Sequence, residues 1–545
     1  IMIDRNSPWF KLYDKGVPYT IPYPPVTVKH LFNVQAEAHP DRDYLIINET
    51  RLPYGLVNLI SRKLANSLAS LGVQKGDRVA LMSPNVPQYC IAFQACAKLG
   101  VIVVPVNPLA AMPEIHHYLK DSGARTMIVM SFFAKSPIEI LKANDTPLKD
   151  VVVFQMQGMP VEVEKGPGIH DFNDLAGAGA DSEPAVDLCP ADTIILQYTG
   201  GTTGVSKGCM LSHANLVAMS YQETFWSSPI ISPDEELRCL AAIPLYHIFG
   251  FNMNVNFNYV HGGSIILVPQ PTTDNILAAI NRHEPNFFAA VPTMIIGLNQ
   301  HPDIGSSKIG AIKGMVSGSA PLPVEAMRIF EERSGAVIIE GYGMSETTNV
   351  LTCNPTRTVR KPGGVGLPFP DNDIRIVDLD TGTKDLPFGE PGEIIAKGPT
   401  IMSGYWNNPE ETANVMRDGW LHTGDIGYMD EDGHVFIVDR VKDLVLASGF
   451  NVYPREIDEL MYTHPKVLQA CAYGVPDPKR GETIKLALVL KPGESMTVAE
   501  ARAFCKANLS GYKVPTDVVF LDELPLTAIG KANRKMLRER ETGKK

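Results

Sequence analysis

Apolar residues at Leu56, Leu59, Ile60, Leu64 and Leu68 recur at helical spacing and predict an amphipathic helix over residues 54–71. Gly72 then supplies its stop. A short apolar run over 78–82 reads as a buried strand, closed by the turn Ser83-Pro84-Asn85. A helix over 86–99, a strand over 101–106, a helix over 112–122 and a strand over 126–130 follow. This rhythm predicts parallel βαβ units. Residues 158–190 are rich in Gly, Ala, Pro and acids and read as an exposed loop. A second βα series is expected from 193 to about 349. Between 363 and 405, short β-rich segments (374–377, 393–396) lie among Gly, Pro and Asp turns and predict a small antiparallel barrel. A smaller α/β region follows Arg440 and ends in a basic tail, and no internal repeat is visible. The fold class expected is therefore α/β. A large N-terminal part would hold two βα-type sheet subdomains and a small β-barrel, followed by a small α+β C-terminal part.

At roughly 150 residues per domain, 545 residues suggest three to four domains, and two large ones also fit. The chain is 44% hydrophobic and 20% charged, which supports sizeable cores and makes disorder, collagen or coiled coil poor readings. A net charge of −11 argues against a general nucleic-acid binder, while a local basic pocket for phosphates stays open. The eight cysteines contain no CxxC pair, so a zinc site is not expected. Their scatter fits buried, reduced thiols in a cytosolic protein better than a disulfide framework. The first residues lack a signal-peptide layout. The longest strongly apolar run, 100–106, is far too short to span a bilayer. A soluble, cytoplasmic protein is expected; transient membrane contact and the choice between monomer and homodimer stay open.

The strongest chemical signal is Gln197-Tyr198-Thr199-Gly200-Gly201-Thr202-Thr203-Gly204-Val205-Ser206-Lys207-Gly208, directly after the apolar run 194–196. Glycines let the backbone approach an anion. Threonine hydroxyls and free N–H groups can bind phosphate oxygens, and Lys207 adds positive charge. In the kinase-type GxxxxGK[ST] loop Gly precedes the Lys; here Ser206 does, which disfavours a γ-phosphate transferase.

This segment closely resembles the phosphate loop of the acyl-adenylate-forming enzymes, the superfamily of acyl-CoA synthetases, firefly luciferases and peptide-synthetase adenylation domains. Further motifs follow in the family's order, so the resemblance covers nearly the whole chain. Gly341-Tyr342-Gly343-Met344-Ser345-Glu346-Thr347 is similar to the family's aromatic and acidic motif. The resemblance implies that Tyr342 stacks on adenine, Ser345 contacts the α-phosphate, and Glu346, with Thr199, helps hold Mg²⁺. Ser317-Gly318-Ser319-Ala320-Pro321-Leu322 is similar to the adenine-side loop, and His422-Thr423-Gly424-Asp425 to the motif whose Asp binds the ribose hydroxyls. A carboxylate can accept two hydrogen bonds from a diol, which suits Asp there. Asp439-Arg440-Val441-Lys442-Asp443 resembles the junction between large and small domains. It implies units at 1–440 and 441–545, with Arg440 on ribose or phosphate and Lys442 as hinge. Leu446 stands where plant and luciferase relatives often carry Lys, and no catalysis is assigned to it. Ser448-Gly449-Phe450 resembles the turn lining the CoA pantetheine tunnel. The segment 524–535 resembles the C-terminal motif whose lysine, here Lys531, reaches between carboxylate and α-phosphate. Lys531, Glu346 and Lys207 are the implied catalytic residues.

Tyr246, His247 and Phe251 begin a long apolar stretch that in the family borders the acyl pocket, and His247 is read as a positioning residue. This stretch, the Thr-Gly-Gly form of the phosphate loop, and Pro8-Trp9 with Gly16-Val17-Pro18 are most similar to bacterial long- and medium-chain fatty acyl-CoA synthetases. The implied reaction uses ATP, Mg²⁺, CoA and a carboxylic acid: acyl-AMP and pyrophosphate form first, then acyl-CoA and AMP. Rival readings are a ligase for aromatic or alicyclic acids, a carrier-protein-loading enzyme, a luciferase-like monooxygenase and a non-catalytic nucleotide-binding module. No acid lies among 246–249 to read an amino group and no carrier domain follows Lys545, both against carrier loading. Retained Lys531, Glu346 and Asp425 argue against the non-catalytic module.

Overall fold

The computed structural model describes residues 7–542 apart from 157, 159, 200–205, 233, 448, 449, 478, 479 and 527–531. A hairpin of β1 (Asp43–Ile47) and β2 (Thr50–Pro53) precedes the first predicted helix, which spans Tyr54–Ser70. Gly72 follows that helix at φ +88, a conformation that favours glycine. The first sheet takes β3 (Arg78–Met82), β4 (Ile102–Val106), β5 (Thr126–Met130), β6 (Asp150–Phe154), β7 (Ile169–Asp171), β8 (Thr193–Thr199) and β9 (Lys207–Ser212) in the order β7-β6-β5-β3-β4-β8-β9. All pairings in it are parallel except β8 with β9. Every residue of β4 and β5 is buried, as a parallel sheet covered on both faces requires. The connecting helices Pro87–Leu99 and Met112–Ser122 lie where the periodicity puts them.

Residues 158–190 are not all loop: β7 extends the sheet edge and a helix, Phe172–Ala178, follows. The Asp171 carboxylate caps that helix by accepting from the Asn173 and Asp174 N–H groups. Phe172 is buried against Phe154. One cap and one buried ring outweigh the loop-like composition. Also, β8 and β9 do not start the second series, because β8 pairs with β4 of the first sheet.

The second sheet is built from β10 (Arg238–Ala241), β11 (Ser264–Leu267), β12 (Phe287–Ala290), β13 (Gly314–Ser317), β14 (Val337–Met344), β15 (Asn349–Cys353) and β16 (Leu367–Pro368). Its order is β16-β15-β14-β13-β12-β10-β11-β1-β2, parallel from β14 to β1. The third is antiparallel: β17 (Asp373–Val377), β18 (Gly392–Lys397), β19 (Met416–Arg417), β20 (Trp420–Met429) and β21 (Val435–Arg440). It reaches beyond the predicted 363–405. Among the described residues its pairing is an open path, because the long, bulged β20 takes β18, β19 and β21 and leaves β17 at an edge. The antiparallel expectation holds; hydrogen-bonded closure into a barrel does not appear among those strands.

The fourth sheet holds β22 (Val445–Ala447), β23 (Phe450–Val452), β24 (Val467–Asp477), β25 (Gly481–Leu490) and β26 (Asp517–Phe520). Helices Pro454–Tyr462 and Val498–Asn508 complete a separate apolar cluster that includes Val452, Ile457, Met461, Leu486 and Cys505. All eight cysteines are free, and seven are buried as expected; Cys189 is exposed. Among the described residues, no helix is long and apolar enough to cross a membrane.

Candidate active site

The second sheet presents the carboxyl ends of β13 and β14, where ligands of parallel α/β sheets bind. After β13 the chain turns through Gly318 and Ser319. A Cβ on Gly318 would stand 3.0 Å from the Phe249 ring, and Ser319 adopts φ +71, so the turn is held tightly. Ala320 is exposed just beyond. β14 ends in Gly341-Tyr342-Gly343-Met344 and passes into a turn of 3₁₀ helix, Ser345–Thr347. A Cβ on Gly343 would lie 1.5 Å from the Asn349 carbonyl oxygen, so only glycine permits this pairing with β15.

Tyr342, Asp425 and Arg440 form one cluster. The Tyr342 hydroxyl donates to Asp425 Oδ2 at 2.7 Å, and Arg440 Nε lies 3.0 Å from Asp425 Oδ1. Asp425 and Arg440 are cross-strand partners in β20 and β21, so sheet register brings them together. Asp425 is 4% exposed. Its charge holds the Arg440 guanidinium above its ordinary pKa. Burial, reinforced by the same carboxylate, raises that of the Tyr342 phenol.

A second cluster surrounds Glu346, which is 7% exposed. Its Oε1 accepts from the Tyr405 hydroxyl at 2.8 Å. Burial and the Glu346 carboxylate raise the Cys209 thiol pKa. The Lys207 ammonium sits 5.0 Å from the centre of the Tyr405 ring and pairs with Glu411. Thr199 and Lys207 face each other across the β8–β9 hairpin. Tyr405 and Glu411 are functional candidates that the sequence reading missed; they lie 59 residues from Glu346 and 204 from Lys207, with no local motif to mark them.

At the stretch read from sequence as bordering the acyl group, Gln197 donates to the Tyr246 carbonyl at 3.3 Å. His247 Nδ1 accepts from the Phe249 N–H at 3.3 Å and caps the short helix that follows. Phe251 is buried against Phe93, with ring centroids 4.5 Å apart. It stands in the core behind this stretch. Residues 251–256 form a π-helix, a form frequent at functional sites.

Lys442 lies in the short turn Val441–Asp443, where burial, with the nearby Arg440, pushes its pKa down to about 8. Arg538 donates to the Lys442 carbonyl at 3.3 Å and pairs with Asp443. Gly200, Gly201, Thr202, Thr203, Gly204, Ser448, Gly449 and Lys531 lie outside the described residues, as does the Phe450 side chain.

Residues 32–406 match the model of the AMP-binding enzyme family, and residues 456–531 that of the AMP-binding enzyme C-terminal domain. The chain is similar to a long-chain-fatty-acid–CoA ligase of Bacillus subtilis, 38% identical over 99% of both chains. It is also similar in structure to the anthranilate CoA ligase AuaEII solved with anthranoyl-AMP, with a TM-score of 0.86 and 27% identity over 96% of this chain and 98% of that one. ATP-bound MatB from Rhodopseudomonas palustris gives 0.85 at 30% identity over 95% and 99%; the apo form of the same protein gives 0.75. With a family model covering well over half its length and a full-length relative at this identity, the chain belongs to the AMP-binding enzyme family.

Proposed function

We propose that this chain is an AMP-forming acid–CoA ligase whose carboxylate is a medium- to long-chain fatty acid. The observation that carries the reading is the Tyr342–Asp425–Arg440 cluster standing four residues along the chain from the buried Glu346. An aromatic face, a carboxylate for a diol and a cation fit adenine, ribose and phosphate in that order. The full-length likeness to a long-chain-fatty-acid–CoA ligase supports the substrate class.

In the first step a carboxylate oxygen bonds to the α-phosphorus of ATP and the bond to the bridging oxygen breaks, releasing pyrophosphate. Asp425 accepts from the ribose hydroxyls and Tyr342 lies against adenine. Lys207, with the Gly/Thr-rich stretch after Thr199, holds phosphate oxygens, and Ser345 contacts the α-phosphate. Lys531 orients the carboxylate and neutralises developing charge. The loop Gly318-Ser319-Ala320 borders the base. In the second step the CoA thiolate bonds to the acyl carbon and the bond to AMP breaks, with Ser448, Gly449 and Phe450 along the thiol arm.

Glu346 fits a Mg²⁺ carried in on ATP. It is a buried carboxylate, the oxygen donor a hard cation takes, and its neighbour Tyr405 fixes one carboxylate oxygen. No cluster of three His, Cys, Asp or Glu exists among the described residues, so phosphate oxygens would complete the shell. The ion would neutralise charge on the phosphates. The separate core around Val452 and Leu486, and the higher likeness to ATP-bound than to apo MatB, support two units, 1–440 and 441–545, that turn about Lys442. The cytoplasm is the expected location.

A second reading, a ligase for an aromatic acid, is favoured by the likeness to the anthranilate enzyme. The test is acid-dependent pyrophosphate release and CoA-dependent AMP release over short, medium, long and aromatic acids. Release without acid dependence overturns the ligase reading; preference for an aromatic acid replaces the fatty one.

A further inference from the structure

The helix Met112–Ser122 has no part in the chemistry above, yet it braces both described ends of the stretch 200–205. Ile115 and Leu119, each 1% exposed, anchor it to the first sheet. From its other positions it reaches the β8–β9 hairpin. His117 Nε2 lies 2.8 Å from the Ser206 carbonyl oxygen, and with a carbonyl as acceptor the ring nitrogen is the donor. The Tyr118 and Tyr198 rings lie 4.7 Å apart. Tyr198 donates its hydroxyl to Asp121 Oδ2 at 2.5 Å. Ser206 Oγ in turn donates to the Thr199 carbonyl at 2.5 Å. His117, Ser206 and Thr199 are therefore bonded in series.

The far side is closed as well. Trp406 N–H donates to the Gly208 carbonyl at 2.8 Å, and its indole N–H to the Asp121 carbonyl at 3.1 Å. The Ser206 carbonyl and the Lys207 N–H belong to one planar peptide. A donor that holds that carbonyl also fixes the direction of the Lys207 N–H and the point from which its side chain departs. A side chain on a helix anchored by buried residues can hold such geometry closely.

We propose that His117 is a positioning residue for ATP: through Ser206 it fixes the spacing and orientation of Thr199 and Lys207, the paired strand ends that flank the phosphate-binding stretch. This rests on the reading of 199–207 as the phosphate-binding stretch. His117 touches no reacting atom.

The experiment compares His117→Leu, His117→Gln and His117→Asn in the full chain. Gln can place an amide N–H where the imidazole Nε2 stands; Asn is one bond too short. His117→Leu is expected to raise KM for ATP about three- to tenfold, the range of one lost hydrogen bond. KM for the fatty acid, and acyl transfer from supplied acyl-AMP to CoA, should stay within about twofold. His117→Gln should recover most of the loss and His117→Asn should not. An unchanged KM for ATP overturns the proposal, as does a parallel loss in all three quantities or equal behaviour of Gln and Asn. If His117→Leu fails to fold, the Gln and Asn pair decides. Lys207→Met tests the underlying reading: an unchanged KM for ATP there removes the phosphate stretch itself, whereas a raised one with silent His117 variants overturns only the role of His117.

Discussion

The Tyr342 hydroxyl donates to Asp425 at 2.7 Å across 83 residues of chain. The bond joins the end of β14, beyond its parallel pairing with β13, to the middle of the antiparallel β20. It holds the face proposed for adenine at a set distance from the carboxylate proposed for ribose. Asp425→Ala should therefore raise KM for ATP far more than KM for the acid. Losing a charged hydrogen-bonding partner costs about 1.5–3 kcal/mol, or roughly ten- to a hundredfold. Tyr342→Phe keeps the ring and should cost less. Steady-state kinetics with each substrate varied check both; an unchanged ATP requirement in Asp425→Ala removes that residue from the site.

Lys531→Ala should separate the two half-reactions. Charge builds at the α-phosphate during adenylation, and removing one preorganised electrostatic group costs about a hundredfold or more. Acyl-AMP formation should fall by that much, while supplied acyl-AMP and CoA should still give acyl-CoA at close to the wild-type rate. The rate ratio in the folded variant is the measurement, and equal loss of both steps assigns Lys531 a shared binding role instead.

Gly343→Ala should damage stability and activity together. The new methyl would meet the Asn349 carbonyl oxygen at 1.5 Å, so β14 and β15 must part and carry the Glu346 turn with them. Overpacking against backbone costs about 1–3 kcal/mol or more. Thermal denaturation and pyrophosphate release should both report it; a variant with normal melting and rate would show that the strands accommodate the methyl.

Glu223 predicts a pH dependence. Burial pushes its pKa up to about 8, with the Asn349 amide donating to one oxygen at 3.0 Å. Between the ordinary carboxylate value and 8, the folded chain holds a proton that the unfolded chain has lost. Stability from this group is thus full at acid pH and falls as pH rises toward 8. Glu223→Gln keeps an acceptor for Asn349 and cannot ionise, so its advantage over wild type should grow from pH 5 to pH 8. Chemical denaturation at several pH values checks this, and a difference independent of pH contradicts it.

Acyl length should be read as hydrophobic gain. The stretch from Tyr246 to Phe257, proposed to border the acyl tail, carries Phe249, Phe251, Met253, Val255 and Phe257 among buried asparagines, and each CH₂ that a tail buries contributes ~0.8 kcal/mol. The ratio kcat/KM should rise from acetate through octanoate toward longer acids until the pocket is full. Acetate as the best substrate would reverse this assignment.

Local pattern by itself determined the helices Tyr54–Ser70 and Met112–Ser122, the strands between them and the parallel βαβ rhythm, because side-chain periodicity and turn residues act within a few positions. The order of motifs from Thr199 to Lys531 likewise pointed to the family without any coordinates. Tertiary structure alone decided that β8 joins the first sheet, that β7 and the Phe172 helix occupy a loop-like segment, and that the antiparallel pairing among the described residues runs as an open path. It also brought Tyr405 to Glu346, Glu411 to Lys207 and His117 to Ser206. Each of these pairs joins separate elements, and composition carries no record of which distant carbonyl or carboxylate a side chain will face. Periodicity states which face of an element is buried; strand order and register decide what that face meets.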